Sequence, residues 1–213
     1  MFRFIRRLCV LACLLLGAGC AATTMTGVWK NPDYLGGPLR KVLVIGVAEN
    51  DTYRRIFEDD CSRRLRARGT IAVPSYTMFT GEELKEKDGV ARKIGDQGYD
   101  AMLIAKILGH RTATEILPGR TYITRDRDLF YEPRYYRRGW HDYYLRSYEI
   151  VHEPPQVIQY DLMTAETKVF DPATERLIWS GLSETRIPET AEALFQSLTD
   201  ALLKSLAEAG LLR

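Results

Sequence analysis

The stretch KVLVIGVA (41–48) is a continuous run of apolar residues rich in valine and isoleucine. Such a run is typical of a strand that is buried on both faces, as strands of parallel sheets are. Two stretches of the same kind follow it, TIAVPSY (70–76) and AMLIAKIL (101–108). Helical patterns separate them, namely an apolar stripe over 52–68 and a second helical stretch that begins near Thr80. This β-α-β-α-β order predicts parallel pairing with right-handed crossovers.

The C-terminal third of the sequence has a different pattern. RSYEIV (146–151), residues 157–170 and LIWSGLSET (177–185) are separated by the turn sequences EPPQ and DPATER, which predicts an antiparallel meander. Pro188 is predicted to open a last helix, because proline is tolerated in the first helical turn. The predicted fold class is therefore α/β (α+β), with a mixed sheet, a β-α-β-α-β run, an antiparallel meander and a C-terminal helix.

Residues 111–148, between these two parts, hold nine aromatic residues, eight arginines and no lysine. No helical or strand period holds across them, so a long loop is predicted. Tyrosine, tryptophan and arginine are enriched at binding hot spots, so we predict a contact surface within 120–148. Its predicted anchors and polar clamps are Tyr135, Tyr136, Trp140, Arg134, Arg137 and Arg138. Two alternatives stay open: a lid over the chain's own sheet, or a surface on which sugar rings stack.

The N-terminus has the pattern of a secretory signal. Residues 1–19 combine a basic start with an apolar run that is too short to span a bilayer. Their end resembles the bacterial lipoprotein signal, which closes on a cysteine that receives a diacylglyceryl group, and Cys20 is the matching position. Ala21 follows where an aspartate usually retains lipoproteins at the inner membrane, which favours the outer membrane. The alternative is cleavage by ordinary signal peptidase, leaving Cys20 a free thiol.

The mature chain is predicted to have a lipidated tether over 20–39 and a single α/β periplasmic domain over 40–213. Removal of residues 1–19 leaves 27 basic and 28 acidic residues, which argues against a nucleic-acid-binding protein. With Cys20 taken by the lipid, only Cys61 remains as a free cysteine, so no intramolecular disulfide is available. Stability must come from a packed core.

Several of these stretches together resemble a class of uncharacterised bacterial outer-membrane lipoproteins with a small α/β periplasmic domain. The resemblance is carried by WKNPDY, KVLVIGVA, VPSY, AMLIAKIL and VFDPATERLIWSGLSET, within residues 29–212. The architecture is also similar to the TolB amino-terminal domain and to the lipoprotein activators of penicillin-binding proteins. This resemblance implies a periplasmic module that binds a partner, and it transfers no active site.

The sequence carries none of the common catalytic motifs that we considered. The sequence has no G-x-S-x-G, H-E-x-x-H, C-x-x-C or P-loop pattern. Asp51, Ser75 and His110 follow three predicted strands, where open parallel sheets bind ligands, so a hydrolase is a remote alternative. The competing interpretation is that Asp51 and Ser75 only cap or turn the chain. His110, His141 and His152 lack metal-ligand spacing, so neither metal nor cofactor is predicted.

We therefore expect a non-enzymatic, lipid-anchored envelope protein in the outer membrane, facing the periplasm. It would act as a protein-interaction or assembly-accessory module. A peptidoglycan- or glycan-binding module is the alternative. The partners expected are the membrane, through the lipid anchor, and an envelope protein.

Overall fold

The computed structural model describes residues 23–95, 97–124 and 149–213. The strands in these ranges are β1 (Thr23–Lys30), β2 (Lys41–Val47), β3 (Ile71–Pro74), β4 (Ala101–Leu117), β5 (Arg120–Thr124), β6 (Glu149–Glu153), β7 (Gln156–Phe170) and β8 (Leu177–Arg186). The α-helices are α1 (Asp51–Ala67), α2 (Lys87–Gly95) and α3 (Ala191–Glu208), and short 3-10 turns lie at Ser75–Thr77 and Glu83–Lys85. No helix in the described ranges is both long and apolar enough to cross a bilayer.

Six strands form one mixed sheet in the order β1-β8-β7-β4-β2-β3, and β5 and β6 form a separate pair. β2 is parallel to both of its neighbours, with Val42 opposite Ala72 on β3 and Ala101 on β4. β8 is antiparallel to both β7 and β1, with Thr185 opposite Thr23 on β1. The sheet, the three described α-helices and the C-terminal position of α3 confirm the predicted fold class.

Helices cover the sheet on both faces. One face packs against α1 and α3 around a large apolar core, which includes Val42, Val44, Leu103, Ala165, Trp179, Phe57, Leu65, Phe195, Leu202 and Leu206. A smaller core on the opposite face joins β2 to α2 and the residues before it, with Leu43, Ile45, Phe79, Val90, Ile94 and Tyr99. Because both faces of β2 are covered, its sequence is apolar without alternation.

Local signals fix the ends of the two long helices. The Asn50 side chain accepts a hydrogen bond from the Thr52 backbone N–H (2.8 Å), which caps the start of α1. Gly69 follows α1 with φ +84°, a left-handed conformation that glycine adopts without strain. The Thr190 hydroxyl accepts a hydrogen bond from the Ala193 backbone N–H (3.2 Å), which caps the start of α3, and Gly210, with φ +73°, follows its end.

The chain divides into two compact units. The first unit comprises the residues up to Arg111 together with Asp161–Arg213. The second unit is Thr112–Tyr160, and its described part contains the pair β5–β6, in which Thr124 lies opposite Glu149 and Arg120 opposite Glu153.

The structure corrects the prediction of a tether over 20–39. Residues 23–30 form β1, which pairs antiparallel with β8 along its length. The Thr23 hydroxyl lies 2.9 Å from that of Thr185 on β8 and 2.8 Å from that of Ser197 on α3. The threonines of this segment suggested a tether, but they favour a strand because they are β-branched.

The prediction of a loop over 111–148 is wrong at its beginning. β4 runs through 111–117, and β5 occupies 120–124, so these residues are strands. β6 pairs with β5 in the described residues, so the predicted meander holds for β7 and β8 but not for its first strand. The remainder of the predicted loop, 125–148, lies outside the described residues.

Two helix boundaries also differ from the sequence prediction. The stretch after Thr80 forms a 3-10 turn and then α2 from Lys87, and the two meet at Glu86. α3 begins at Ala191, because Thr190 supplies the cap and Pro188 stays outside the helix.

Candidate functional site

A buried polar cluster lies where β2 and β3 end and α1 begins. Its centre is the Glu58 carboxylate, which is fully buried, and beside it lies the Arg54 guanidinium, which is 5% exposed. The Arg54 Nε donates to Glu58 Oε1 at 3.0 Å, and Arg54 Nη2 donates to Ser75 Oγ at 2.8 Å. The Ser75 hydroxyl in turn donates to Glu58 Oε1 at 2.7 Å. We call these three residues the strand-end cluster.

Backbone groups complete the hydrogen bonding of Glu58. The Gly46 N–H near the end of β2 donates to Oε1 at 2.9 Å, and the Tyr76 N–H after β3 donates to Oε2 at 2.9 Å. A buried carboxylate needs such donors because its desolvation is costly. The strand-end cluster therefore joins α1 to the ends of two neighbouring parallel strands.

The absence of a side chain at Gly46 permits this close packing. A Cβ there would lie 3.2 Å from a ring carbon of Phe57 and 3.4 Å from the Arg54 carbonyl oxygen. Those distances are tighter than ordinary contacts, so the first turns of α1 lie against the backbone of β2.

The Asp51, Ser75 and His110 arrangement proposed for a hydrolase is not assembled. Ser75 is fully buried and its hydroxyl is shared between Arg54 and Glu58. Asp51 pairs with Arg55 at 2.8 Å. His110 lies exposed on β4, and no hydrogen bond in the described residues joins it to either of the other two. A nucleophile must be accessible and within reach of its base, and Ser75 meets neither condition here.

Sequence reasoning missed Arg54 and Glu58, since arginine and glutamate side chains on a helix usually face solvent. A signal was present: positions 54, 58, 61 and 65 are spaced i, i+4, i+7 and i+11, so they share one helical face. Cys61 and Leu65 on that face are fully buried or nearly so. An oppositely charged i,i+4 pair that extends an apolar stripe indicates a buried ion pair.

Other charged residues of α1 form ion pairs around Asp60, which is itself buried. Arg64 lies 2.9 Å from Asp60 and also pairs with Asp200 on α3, and Arg63 pairs with Asp60. Cys61 is fully buried, and burial raises the pKa of its thiol far above the ordinary value. A thiol that stays protonated and inaccessible is a packing residue rather than a redox group.

An open apolar cavity of about 20 Å³ lies at the same end of the sheet as the strand-end cluster. Five elements line it: the end of β2, the start of α1, the middle of β4, and parts of β7 and α3. The lining residues are Gly46, Val47, Ala48, Tyr53, Arg54, Phe57, Ala105, Lys106, Ile107, Ala165, Phe195 and Leu198. Val47 and Tyr53 are each 47% exposed and Ile107 is 38% exposed. The cavity thus opens among half-exposed apolar side chains and has little polar chemistry to offer a substrate.

In the second unit, described by itself, the pair β5–β6 carries polar cross-strand contacts. The Tyr122 hydroxyl donates to Glu153 at 3.0 Å, and the Thr121 hydroxyl lies 2.8 Å from His152 Nδ1. The hydrogen bond to Glu153 raises the pKa of Tyr122 above its ordinary value. The predicted contact residues Tyr135, Tyr136, Trp140, Arg134, Arg137 and Arg138 lie outside the described residues, as does Cys20.

Across the described ranges, no group of three or more histidine, cysteine, aspartate or glutamate side chains is placed to hold a metal ion.

Comparisons with known proteins give similarity of fold only. No protein-family model matches the chain, and no curated protein matches it significantly. Among solved structures, the chain is similar to the PelC dodecamer from Paraburkholderia phytofirmans, with 12% identity over 84% of this chain and 97% of that one, at a TM-score of 0.40. A single-residue variant of that protein is 10% identical over 86% of this chain and 96% of the variant chain, at a TM-score of 0.44.

The chain is also similar to lipoprotein GNA1162 from Neisseria meningitidis, with 13% identity over 79% of this chain and 99% of that one. The TM-score of that pair is 0.39. These likenesses transfer no residue roles.

Proposed function

We propose that this chain is a lipid-anchored envelope protein that has no enzymatic activity and binds another envelope protein. The observation that carries the proposal is the pairing of β5 with β6. Because Thr124 lies opposite Glu149, the two residues that flank the segment 125–148 are paired with each other. A segment whose ends are fixed in this way loses less conformational entropy on binding than an unconstrained one.

The composition of that segment supports a binding role. Tyr135, Tyr136 and Trp140 offer large amphipathic surfaces, and Arg134, Arg137 and Arg138 offer planar cations that match carboxylates. Such residues dominate the energetics of protein interfaces. We propose that these six side chains contact the partner.

The strand-end cluster supports a non-enzymatic role. The end of parallel strands is where α/β folds usually bind ligands, yet here its polar groups bond to one another and to the backbone. Groups used in this way hold the fold together and are not free to act on a substrate.

The proposed anchor is a diacylglyceryl group on Cys20, in the outer membrane and facing the periplasm. It is tested by growing cells on labelled palmitate and comparing Cys20→Ser with Cys13→Ser, its matched control in the apolar run. We expect Cys20→Ser to abolish labelling and Cys13→Ser to retain it. Labelling of the Cys20→Ser chain would contradict the assigned anchor.

The proposed binding function is tested by photo-crosslinking in intact cells, with the probe at position 136 and mass spectrometry of the adducts. A probe at Leu35, which is 95% exposed in the first unit, is the control. We expect one protein adduct at position 136 and none of that protein at position 35. Adducts with peptidoglycan fragments alone would favour the glycan-binding module, and crosslinks within the chain alone would make the segment a lid.

A further inference from the structure

We propose that one end of the sheet in the first unit docks on the surface of the bilayer that holds the lipid. This end, here called the anchored edge, is the one at which β2 stops, and it presents Val47, Tyr53, Ile107 and Ile187. The proposal rests on the lipidation of Cys20 and goes beyond it, because an anchor alone leaves the orientation of the domain undetermined.

The first step is the length of chain between the lipid and the sheet. β1 begins at Thr23, three residues after Cys20, so at most about 11 Å separates the two Cα atoms. Thr23 is fixed in the first unit by hydroxyl contacts to Thr185 (2.9 Å) and Ser197 (2.8 Å). A bilayer that contains the lipid of Cys20 therefore lies close to the part of the domain around Thr23.

The second step is that the pairing of the strands places the anchored edge near Thr23. Thr23 pairs with Thr185, and Ile187 follows two residues later, where its N–H donates to the Asp161 carbonyl at 2.8 Å. Ser197, which touches Thr23, is followed by Leu198, which lines the apolar cavity. Chain order and contact thus connect the start of β1 to the cavity.

The third step is the apolar character of the anchored edge. Val47 lies opposite Lys106 on β4, and Ile107 is the next residue along that strand. Val47 and Tyr53 are each 47% exposed, and Ile107 and Ile187 are 38% and 42% exposed. Half-exposed aliphatic residues beside an amphipathic tyrosine suit the boundary between headgroups and acyl chains.

The opposite end of the sheet supplies a matched control. Ile71 at the start of β3 is 61% exposed, and it pairs with Lys41 at the other end of β2. β2 rises about 3.3 Å per residue, so Lys41 and Val47 are about 20 Å apart. Docking at the anchored edge would therefore bury positions 107 and 187 at the bilayer and leave position 71 in water.

The experiment uses the full-length lipidated protein in phospholipid vesicles that contain a nitroxide-labelled lipid. Single cysteines are introduced as Ile107→Cys, Ile187→Cys and Ile71→Cys and labelled with a fluorescent maleimide. Cys61 is fully buried, and burial raises the pKa of its thiol, so it adds no background in the native chain. Flotation and the mass of the N-terminal peptide establish anchoring in the same sample.

We expect the probes at 107 and 187 to lose most of their fluorescence to the lipid nitroxide and the probe at 71 to lose little. Two results in a chain that floats and carries lipid would overturn the docked edge: equal quenching at all three positions, or no quenching at any of them. Either result would leave the proposed anchor intact. A chain that neither carries lipid nor floats would overturn both proposals.

Discussion

The strand-end cluster of the first unit and the pair β5–β6 of the second unit differ in how exposed their polar residues are. In the first unit, Arg54, Glu58 and Ser75 are buried and bonded to one another at the place where parallel sheets usually bind ligands. In the described part of the second unit, Tyr122 and Glu153 are exposed to solvent even though they bond to each other. The difference teaches that position in a fold does not assign a function: hydrogen-bond partners and exposure decide whether a polar residue is available.

The largest expected effect on stability comes from Glu58→Ala. The substitution leaves the Arg54 guanidinium buried without its carboxylate and removes the acceptor of two backbone N–H groups. We expect the free energy of unfolding to fall by about 3–5 kcal/mol, measured by urea denaturation. The matched control is Glu82→Ala, whose exposed carboxylate pairs with Lys85, and it should change stability by about 0.5 kcal/mol or less. A Glu58→Ala effect as small as that of the control would contradict the structural role.

A smaller loss is expected for Ser75→Ala. The hydroxyl donates to Glu58 and accepts from Arg54, and both of these groups remain buried without it. We expect a loss of about 1–3 kcal/mol in urea denaturation. The substitution should leave partner crosslinking unchanged at a temperature where the chain stays folded. Loss of function in a fully folded Ser75→Ala chain would instead favour the hydrolase alternative.

Gly119→Ala tests whether the pair β5–β6 is a locally defined structure. A Cβ at position 119 would lie 2.6 Å from the Glu153 carbonyl oxygen and 3.0 Å from the Pro155 nitrogen, so the backbone must shift. We expect backbone amides of β5 and β6 to lose about 1–3 kcal/mol of protection from hydrogen exchange. Gly109→Ala on β4 is the control, because its added Cβ would meet no atom within 4 Å among the described residues beyond its two chain neighbours. Equal exchange in the two variants would mean that the glycine is not required there.

The smallest effect on stability is expected for Trp140→Ala. If this side chain serves a partner rather than the core, the free energy of unfolding should change by about 0.5 kcal/mol or less. Partner binding should weaken by about 2 kcal/mol or more, as at other interface anchors, which a titration with the crosslinked partner would measure. A large loss of stability would show that the tryptophan packs against its own chain.

The sequence predicted the parts of the fold whose patterns are local. The apolar runs of β2 and β4, the stripes of α1 and α3, and the hairpin β7–β8 follow from periodicity and turn residues, and the structure confirms them. β1 was missed because its partners on β8 lie about 150 to 160 residues away in sequence, and a threonine-rich segment next to a signal looks like a linker. The extension of β4 to Leu117 was missed because its outer half is exposed and lacks an apolar alternation.

The candidate site was less accessible to sequence reasoning. Ser75 follows β3 as predicted, whereas Asp51 begins α1 and His110 lies within β4 rather than after it. The burial and partners of Ser75 depend on how closely α1 approaches β2, which Gly46 permits. The aromatic and arginine residues between 125 and 148 were found from composition alone, and their role as contact residues stays a prediction.

The most direct test asks whether Ser75 serves the fold while Trp140 serves partner contact. It combines the crosslinking probe at position 136 with one further substitution in the same chain. We predict that a Ser75→Ala chain still forms the partner adduct in intact cells, because Ser75 serves the fold. We predict that a Trp140→Ala chain of equal abundance loses it, because Trp140 serves the contact. Retention of the adduct by Trp140→Ala together with its loss from a folded Ser75→Ala chain would contradict the account.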